Sequence, residues 1–534
     1  MCLALVHAQS PDWLWAQRAG GVDSEEALAT ATDADGNVLI AGYFKSANTT
    51  FGTTTLTHQA YEDVFLTKYD GAGNVLWARA ATGNWYDEAF GVATDADGNA
   101  IVVGFFSSDT LHLGASSIVN AGSGFNGFVA KYAPNGNLLW ARAFGGSLLD
   151  HCYAVTTDAA GNIYVTGDFT STNITFAGTT LVPTQFGEAV LLKYDAGGNE
   201  QWAATATGDY HNEGTSVATD ASGNVIMGGN FHSSVLDLGG TTLTNAGDVD
   251  GFFARYSAAG TLQWARQVGD LGSESITGVS TDASGNIGVA GYYASDALTI
   301  GTTTLDNATG GEETFIAKFD AAGSPLWAVT AAGGGNQARG IAADGNNDFV
   351  VTGFFESDAL TFGAIDASPA DYAMDVFVVK CNGGGAFQWA TTAGSDGQDK
   401  AYGIATDAAG GIFVSGWFSG TDITFGATTL TNVPGSDDLF VAKLDGTTGI
   451  AESAASAGPV LYPNPATTQC TLRLPGGATT GTFTLHDALG RTVAALPITG
   501  ALPVIDLGPV APGAYAFTLT TDAGRTAGRV VIAR

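Results

Sequence analysis

The sequence predicts an all-β protein in which seven similar four-stranded units close into a ring and a small β-sandwich follows. Three observations predict this. A Trp-Ala pair recurs seven times, at intervals of 62 or 63 residues. The same polar and glycine positions recur in the same order within each unit. The first 450 residues show apolar runs and alternation of period two, with no helical periodicity. Four strands per repeat, arranged radially, are typical of a seven-bladed β-propeller.

The first repeated element is a strand that carries a tryptophan followed by an alanine. Its strict periodicity predicts that the indole rings pack between neighbouring blades, because a large aromatic side chain at each sheet interface supplies much of the buried area there. The seven tryptophans are Trp15, Trp77, Trp140, Trp202, Trp264, Trp327 and Trp389.

A turn follows about eighteen residues after each tryptophan, with a one-residue deletion just before it in unit six. Each turn begins with an aspartate: Asp33, Asp95, Asp158, Asp220, Asp282, Asp344 and Asp407. The segment Asp33 to Asn37 is similar to a short calcium loop. However, the second aspartate is lost in other units, and the glutamate that an EF-hand requires after its glycine is absent. We therefore predict a tight hairpin, which favours Asp and Gly-Asn, and keep calcium as the alternative.

An apolar strand, a hairpin and a last strand complete each unit. The apolar strand ends in a glycine at Gly42, Gly104, Gly167, Gly229, Gly291, Gly353 and Gly416. The last strand carries a basic residue at Lys68, Lys131, Lys193, Arg255, Lys318, Lys380 and Lys443.

The two ends of the array predict that the ring closes. The chain begins on a tryptophan strand, Trp13 to Ala19, and leaves the array on the strand Leu439 to Asp445 with no tryptophan strand after it. The N-terminal strand can supply the missing outer strand of the last blade, and closure removes free sheet edges. The unit Gly91 to Asn99 resembles bacterial short β-propeller repeats, and this resemblance implies the fold but no activity.

Composition indicates the domain boundaries of the chain and gives it a negative net charge. Residues 1–8 are interpreted as the remnant of a signal peptide, 12–445 as the propeller, 446–459 as a linker and 460–534 as a second domain. The net charge is −33, which argues against binding nucleic acid or an anionic membrane. No apolar run is long enough to span a bilayer. We expect a monomer.

The second domain reads as a small Ig-like β-sandwich, because short alternating strands are separated by Pro and Gly turns. It resembles the type A sorting domain of type IX secretion. The resemblance implies export by the type IX secretion machinery, cleavage of the domain, and in some cargo anchoring to surface lipopolysaccharide, so the protein is expected outside a bacterium with an outer membrane. The matching residues are Tyr462, Pro463, Asn464, Pro465, Asp487, Gly490, Arg491, Gly513 and Tyr515.

One polar position per repeat is a candidate site, since it lies in the loop that leads to the innermost strand. Five carboxylates and two amides there would form a ring at the channel mouth, able to hold a cation such as Ca²⁺, beside aromatic side chains that could stack a sugar. The alternative is a capped loop that repeats only because the blade repeats. The candidate residues are Glu25, Asp87, Asp150, Asn212, Glu274, Gln337 (or Asn336) and Asp399, with Trp85, Tyr86, His151, Tyr210 and His211 as neighbours.

These patterns leave three functional hypotheses. The first is a non-catalytic surface or secreted protein that binds a glycan or a protein, with an adhesion role. The second is a polysaccharide hydrolase or lyase that uses the acidic ring, although no motif for it is present. The third is a structural surface component.

Overall fold

The computed structural model describes residues 10–446, apart from 173, 185, 358, 368–372 and 434, and residues 460–533, apart from 463–465, 474–479, 487–490, 500–502 and 522–523. The described residues form strands and turns without an α-helix, which confirms the all-β prediction. No described helix could therefore cross a membrane. The chain divides into two units, Met1–Thr448 and Gly449–Arg534. The predicted leader and residues 447–459 of the predicted linker lie outside the described residues.

The first unit contains 42 described strands in a repeating order. They are β1 (Trp13–Ala19); β2 (Glu25–Thr32), β3 (Val38–Phe44), β4 (Asn48–Phe51), β5 (Thr54–Thr57), β6 (Asp63–Tyr69), β7 (Val75–Ala81); β8 (Asp87–Thr94), β9 (Ala100–Phe106), β10 (Thr110–Leu113), β11 (Ser116–Val119), β12 (Asn126–Tyr132), β13 (Leu138–Phe144); β14 (Asp150–Thr157), β15 (Ile163–Phe169), β16 (Ile174–Phe176), β17 (Thr179–Leu181), β18 (Glu188–Tyr194), β19 (Glu200–Ala206); β20 (Asn212–Thr219), β21 (Val225–Phe231), β22 (Val235–Asp237), β23 (Thr242–Thr244), β24 (Asp250–Tyr256), β25 (Leu262–Val268); β26 (Glu274–Thr281), β27 (Ile287–Tyr293), β28 (Ala297–Ile300), β29 (Thr303–Asp306), β30 (Glu313–Phe319), β31 (Pro325–Thr330); β32 (Asn336–Ala343), β33 (Phe349–Phe355), β34 (Leu360–Phe362), β35 (Ile365–Ala367), β36 (Asp375–Cys381), β37 (Phe387–Ala393); β38 (Asp399–Thr406), β39 (Ile412–Phe418), β40 (Asp422–Phe425), β41 (Thr428–Thr431) and β42 (Asp438–Leu444).

These strands form seven four-stranded antiparallel sheets within the described residues, each accompanied by a two-stranded hairpin. Sheet one has the order β2-β3-β6-β7, and sheets two to six repeat that order with their own strands. Sheet seven has the order β38-β39-β42-β1, so the N-terminal strand supplies its outer edge as the sequence predicts. The register pairs Ala16 with Ala442 and Arg18 with Phe440. This arrangement is a β-propeller.

The first strands of neighbouring sheets lie side by side around a common channel. Strands β2, β8, β14, β20, β26, β32 and β38 follow one another in this way, and β38 lies beside β2. The second and third strands of each sheet are buried almost throughout, and the core lies between adjacent sheets. Continuous apolar runs such as Ile101 to Val103 form these strands because both faces of the sheet are covered.

The tryptophans pack against the next sheet, as the periodicity predicts. Trp77 on β7 donates its Nε1 hydrogen to the carbonyl oxygen of Pro134 in the outer turn of sheet two, at 2.8 Å. A Cβ on Gly136 would lie 2.8 Å from the Trp77 ring, so that turn requires glycine. Arg79 also donates to carbonyl groups of this turn. Five other tryptophans make the equivalent hydrogen bond: Trp15, Trp140, Trp202, Trp264 and Trp327.

The second unit consists of a three-stranded and a four-stranded sheet in its described part. Its core includes Phe483 and Phe517, whose ring centroids are 5.1 Å apart, and the buried thiol of Cys470. The strands are β43 (Val460–Tyr462), β44 (Gln469–Arg473), β45 (Thr480–His486), β46 (Thr492–Thr499), β47 (Val504–Asp506), β48 (Gly513–Thr521) and β49 (Gly524–Ile532). The sheet orders are β43-β44-β47 and β46-β45-β48-β49.

Candidate functional site

The predicted polar ring is present as a repeated position, but it does not face the channel. Six of the predicted residues begin the first strand of their sheet and are 0% exposed: Glu25, Asp87, Asp150, Asn212, Glu274 and Asp399. In sheet six that position is held by Asn336, also 0% exposed, and not by Gln337. The expectation of an open ring of oxygens at the mouth is therefore wrong, and the capped-loop alternative describes these residues.

The buried carboxylates hold the loops at one end of each sheet. Asp150 accepts hydrogen bonds from the backbone N–H groups of Gly146 at 2.7 Å and Ser171 at 3.0 Å. Glu25 accepts from the backbone N–H groups of Gly21 at 2.8 Å and Ser46 at 2.9 Å. Buried backbone N–H groups require such partners, and a carboxylate satisfies two loops at once.

Burial raises the pKa of several of these carboxyl groups. The pKa of Asp87 is raised to about 7, because burial outweighs its hydrogen bonds with Ser108. Asp438, which begins the third strand of sheet seven, also has a pKa near 7 for the same reason, although Arg18 lies against it. The pKa of Glu25 is raised as well. The propeller therefore buries carboxyl groups that titrate near neutral pH.

The second residue of each first strand, directly after the buried polar residue, faces the channel, because side chains alternate between the two faces of a strand. Every first strand also contains a β-bulge. Its fourth residue has no partner in the register with the second strand. A bulge redirects its extra side chain, here toward the channel. The bulge residues are Leu28, Phe90, Tyr153, Thr215, Thr277, Arg339 and Tyr402.

The repeated glycine of each second strand is explained by this bulge. At Gly104 a Cβ would lie 1.9 Å from the carbonyl oxygen of Glu88, the residue two before the bulge. The corresponding distances in the other six sheets are 1.8–2.1 Å. Only glycine leaves room for that carbonyl group, so the bulge in each first strand requires a glycine at the facing position of the second strand.

The channel encloses a cavity of about 700 Å³, and its walls differ from sheet to sheet. The wall includes Tyr153, Glu213, Ser275 and Arg339, with Tyr292 opposite Ser275 in the register. The outermost lining position holds Glu26, Glu88, His151, Glu213, Ser275, Gln337 and Lys400. Gln337 therefore does face the channel. It is the second residue of its strand, whereas the other six predicted residues are the first residues of theirs.

Sheets one and two contribute an acidic side to the channel. Lys45 Nζ lies 2.6 Å from Glu62 Oε1. Burial, together with the neighbouring carboxyl groups of Glu62 and Glu26, raises the pKa of Glu88 to about 9. The pKa of Glu26 is also raised, chiefly by burial. Glu88 therefore keeps its proton at neutral pH.

Sheets three and four contribute histidines. His151 Nδ1 lies 2.8 Å from Asp168 Oδ1, and His211 Nε2 lies 3.3 Å from Asp168 Oδ2. Burial would raise the pKa of Asp168, but the two histidines lower it. The hydrogen bond with Asp168 raises the pKa of His211. Asp168 thus orients both imidazole rings.

The aromatic neighbours expected beside the site are exposed on the loops of sheets one to four. The rings of Tyr61 and Trp85 stack with centroids 4.7 Å apart, and Tyr86 lies 5.0 Å from Tyr61. Phe186 and Tyr210 form a second exposed pair at 4.7 Å. Stacked, partly exposed rings of this kind present apolar faces to solvent.

The Asp turns are hairpin devices. Asp33 Oδ1 accepts the N–H groups of Asp35 and Asn37, each at 3.0 Å, and Lys68 Nζ lies 2.7 Å from Asp33 Oδ2. Equivalent ion pairs join the repeated Asp to the repeated basic residue in sheets two and four to seven. The two repeated positions were visible in the sequence, but their pairing was not predicted. Within the described part of the chain, no group of three or more His, Cys, Asp or Glu side chains is arranged to hold a metal ion.

The sorting motif lies only partly within the described residues. Tyr462 ends β43, Gly513 begins β48, and Tyr515 donates its hydroxyl hydrogen to the carbonyl oxygen of Ala511 at 2.8 Å. Arg491 precedes β46 directly. The other predicted motif residues lie outside the described residues: Pro463, Asn464, Pro465, Asp487 and Gly490.

Comparison with known families identifies the second unit. Residues 460–533 match the family model described as a secretion system C-terminal sorting domain. The second unit is a sorting domain of this family. Such a type IX sorting domain implies the type IX secretion machinery as a partner and export to the cell surface or the extracellular space, in Bacteroidetes.

Two curated proteins are similar to longer parts of the chain. An uncharacterised WD repeat-containing protein of Acanthamoeba polyphaga mimivirus is 22% identical over 505 residues, covering 77% of this chain and 36% of that protein. The regulatory protein FlaEY of Caulobacter vibrioides is 26% identical over 410 residues, covering 71% of this chain and 41% of that protein. The chain thus spans less than half of the length of these relatives.

Solved structures with a similar arrangement share little sequence. YCF48 is 10% identical with a TM-score of 0.37, covering 82% of this chain and 97% of its own. Sqt1 from Chaetomium thermophilum is 11% identical with a TM-score of 0.36, covering 82% and 99%. A puromycin hydrolase is 11% identical with a TM-score of 0.37, covering 87% and 62%.

Proposed function

We propose that this chain is a non-catalytic binding protein of the cell surface or the extracellular space, a closed seven-bladed β-propeller that recognises a glycan through its central channel. A signal peptide starts its export, an Ig-like sorting domain is removed on the way out, and the propeller acts in adhesion as a monomer, attached to surface lipopolysaccharide. A protein ligand is the alternative that the binding experiment below separates.

One observation carries this proposal, namely the contrast between a repeated scaffold and a varied channel. The glycines, tryptophans and turn aspartates recur from sheet to sheet, whereas the bulge position holds five different residue types. A purely structural ring has no need of such variety at the one position that each bulge turns inward. The cavity volume of about 700 Å³ is typical of a site for a small molecule or a short saccharide.

A second candidate function, hydrolysis or elimination on a polysaccharide, is favoured by one feature. The pKa of Glu88 is raised to about 9, so a carboxyl group that keeps its proton at neutral pH lies beside the carboxyl groups of Glu26 and Glu62. That combination suits general acid catalysis. Under this function Glu88→Gln abolishes turnover of a bound polysaccharide, whereas a binding protein shows no turnover to lose.

The test of the proposed function narrows the channel at two bulges, and it removes the hydrogen bonds that the Thr215 and Thr277 hydroxyls donate to the carbonyl oxygens of Ile276 and Ala338. Thr215→Tyr and Thr277→Tyr, made together, place at two bulges the residue that Tyr153 and Tyr402 already provide at the same position. The matched control is Thr299→Tyr on the exposed face of the hairpin strand β28.

The purified full chain and both variants are applied to a glycan array, with and without EDTA, and to a panel of extracellular matrix proteins. We expect glycan binding by the parent and the control, and a loss of about tenfold or more in the double variant. Equal binding by the double variant, or binding only to proteins, would overturn the proposal of a glycan site in the channel.

A further inference from the structure

Two cations face the channel without a carboxylate partner. Arg339 is the bulge residue of β32, and Lys400 is the second residue of β38. Among the described residues, no Asp or Glu oxygen lies within 4.0 Å of either. By contrast, the repeated Lys or Arg on the third strand of six of the seven sheets is paired with a turn aspartate. The net charge of the chain is −33, so two cations without a carboxylate partner on neighbouring channel strands, one of them lining the cavity, are unusual in this protein.

The two cations share one aromatic ring. Arg339 Cζ lies 5.2 Å from the ring centroid of Phe354, and Lys400 Nζ lies 4.9 Å from it. Lys400 also lies 5.3 Å from the Trp417 centroid, and Arg339 lies 5.7 Å from Tyr402. Contacts with ring faces position both charges, but they leave the hydrogen-bond donors of the ammonium and guanidinium groups largely unused.

The hydrogen bonds around Arg339 leave a donor open. Its Nη2 donates to Gln337 Oε1, and the amide nitrogen of Gln337 donates to Glu312. The nearest carboxylate in this network is thus reached only through the Gln337 amide. Within the described part of the chain, Arg339 Nε is buried and has no acceptor. A buried donor without an acceptor costs free energy that a bound anion would recover.

The positive charges of Arg339 and Lys400 also repel each other. Burial and the charge of Arg339 lower the pKa of Lys400. Glu26 and Glu356 act on Lys400 only from a distance, because neither forms an ion pair with it in the described residues. An anion placed between the two cations would remove this repulsion.

The geometry points to an anion subsite formed by Arg339 and Lys400, which binds the carboxylate or sulfate group of an acidic saccharide. This inference rests on the proposed glycan function and names its ligand class. Arg supplies a planar fork that suits a carboxylate or a sulfate, and Lys supplies a second charge. The rings of Phe354 and Trp417 are buried and hold the cations in place, and Tyr402 lines the cavity beside them.

The adjoining wall limits where a second charge of such a ligand can lie, because β2, which carries Glu26, is the neighbour of β38. Glu26, Glu62 and Glu88 lie on sheets one and two, or in the loops of those sheets, and would repel a second anionic group. The acidic ring of the saccharide is therefore expected at Arg339 and Lys400, and uncharged rings elsewhere in the channel. A cavity of about 700 Å³ accommodates a short saccharide and not a folded partner.

The test is isothermal titration of the full chain with five defined ligands. Tetragalacturonate carries carboxylates, its methyl ester keeps the rings without the charges, and a κ-carrageenan tetrasaccharide carries sulfates on neutral rings. N-acetyl-tetraglutamate amide supplies carboxylates without sugar rings, and maltotetraose supplies sugar rings without charges.

The variants use residues that other repeats already carry at the same positions. Arg339→Thr copies Thr277, and Lys400→Gln copies Gln337. Lys400→Arg keeps the charge, and Arg142→Gln on the outer strand β13 is the control for loss of a positive charge outside the channel.

We expect at least one of the two acidic saccharides to bind, about tenfold or more tightly than the methyl ester, and to weaken as salt is raised. Which of the two binds separates carboxylate from sulfate. Arg339→Thr and Lys400→Gln should each weaken binding by about tenfold, while Lys400→Arg and Arg142→Gln should not.

Three results would overturn the inference. If the methyl ester or maltotetraose binds as well as the acidic saccharides and the variants change nothing, the anion subsite is wrong while the glycan function stands. If the glutamate peptide binds equally well, the saccharide class is wrong. If none of the five ligands binds, the inference fails, and the glycan array then decides separately whether the proposed function fails with it.

Discussion

Replacing Gly104 by alanine tests the link between the periodic glycine and the periodic bulge. A Cβ at this position would lie 1.9 Å from the carbonyl oxygen of Glu88 and 2.8 Å from the Cα of Ala89. Both atoms belong to the backbone of β8. This strand is hydrogen-bonded to β9 both before and after the bulge. No side-chain rotation relieves this overlap, so the bulge itself must move.

The expected cost follows from two opposing terms. An overpacked methyl group in a rigid core costs about 1–3 kcal/mol, and the backbone overlap places this one at the upper end. Alanine also restricts the unfolded chain, which returns about 0.4–1 kcal/mol. We expect Gly104→Ala to lower the free energy of unfolding by about 2–2.5 kcal/mol.

The assay is urea denaturation followed by tryptophan fluorescence, with Gly345→Ala as the matched control. Gly345 lies in the turn between β32 and β33, and a Cβ there would meet nothing within 4 Å. The control should leave the midpoint unchanged or raise it slightly. A Gly104→Ala variant with the stability of the parent would refute the claim that the bulge dictates the glycine.

Two further predictions concern buried charges. Asp87 and Asp438 each have a pKa raised from 3.8 to about 7, so the stability that their protonated forms contribute is lost as the pH rises from about 4 to about 7. The calorimetric unfolding temperature should therefore fall from about pH 4 to about pH 7, less so in Asp87→Asn, and a fall of equal size in that variant would contradict the assignment. Lys318→Met leaves Asp282 buried without its counter-ion and should cost about 3–5 kcal/mol in urea denaturation. Lys193→Met should cost about 1 kcal/mol, because among the described residues the Lys193 ammonium group contacts a backbone carbonyl and a ring face and no carboxylate, and equal losses would contradict an ion-pair role.

The scaffold could be predicted from the sequence because its determinants are periodic. A large ring such as Trp77 and a turn residue such as Asp33 each solve a local problem that recurs in every sheet. Closure could also be predicted, since an unpaired last sheet and a spare first strand complement each other. Periodicity thus identified the positions that the fold needs.

The channel could not be predicted in the same way, because a strand has a side-chain period of two. An error of one residue exchanges the buried face for the open one, and Asp150 and His151 differ by that single step. The bulge changes the phase again at Tyr153, and no local sequence signal marks it. The repeated glycine opposite the bulge, Gly167, was the available signal, but its meaning depends on a carbonyl from another strand.

The pairing of charges was also beyond local reasoning. Lys68 Nζ and Asp33 Oδ2 lie 2.7 Å apart although Lys68 is on β6 and Asp33 is in the turn between β2 and β3. Arg339 and Lys400 meet only because β32 and β38 are neighbours around the channel. Contacts of this kind depend on the arrangement of whole sheets.

Closure of the ring by β1 is the claim on which the channel depends, and a cysteine pair measures it directly. Ala16→Cys with Ala442→Cys joins β1 to β42 at a position where the two residues are partners. Ala317→Cys with Ala328→Cys is the matched pair within sheet five, which forms with or without closure. The three described native cysteines are buried and free.

After oxidation, each cross-linked monomer is identified by its altered mobility on a non-reducing gel and by mass spectrometry of the joined peptides. A closed propeller predicts that both pairs cross-link within one chain. Cross-linking of the sheet-five pair alone, with the Ala16 and Ala442 cysteines remaining free, would contradict the closed ring and the channel that depends on it.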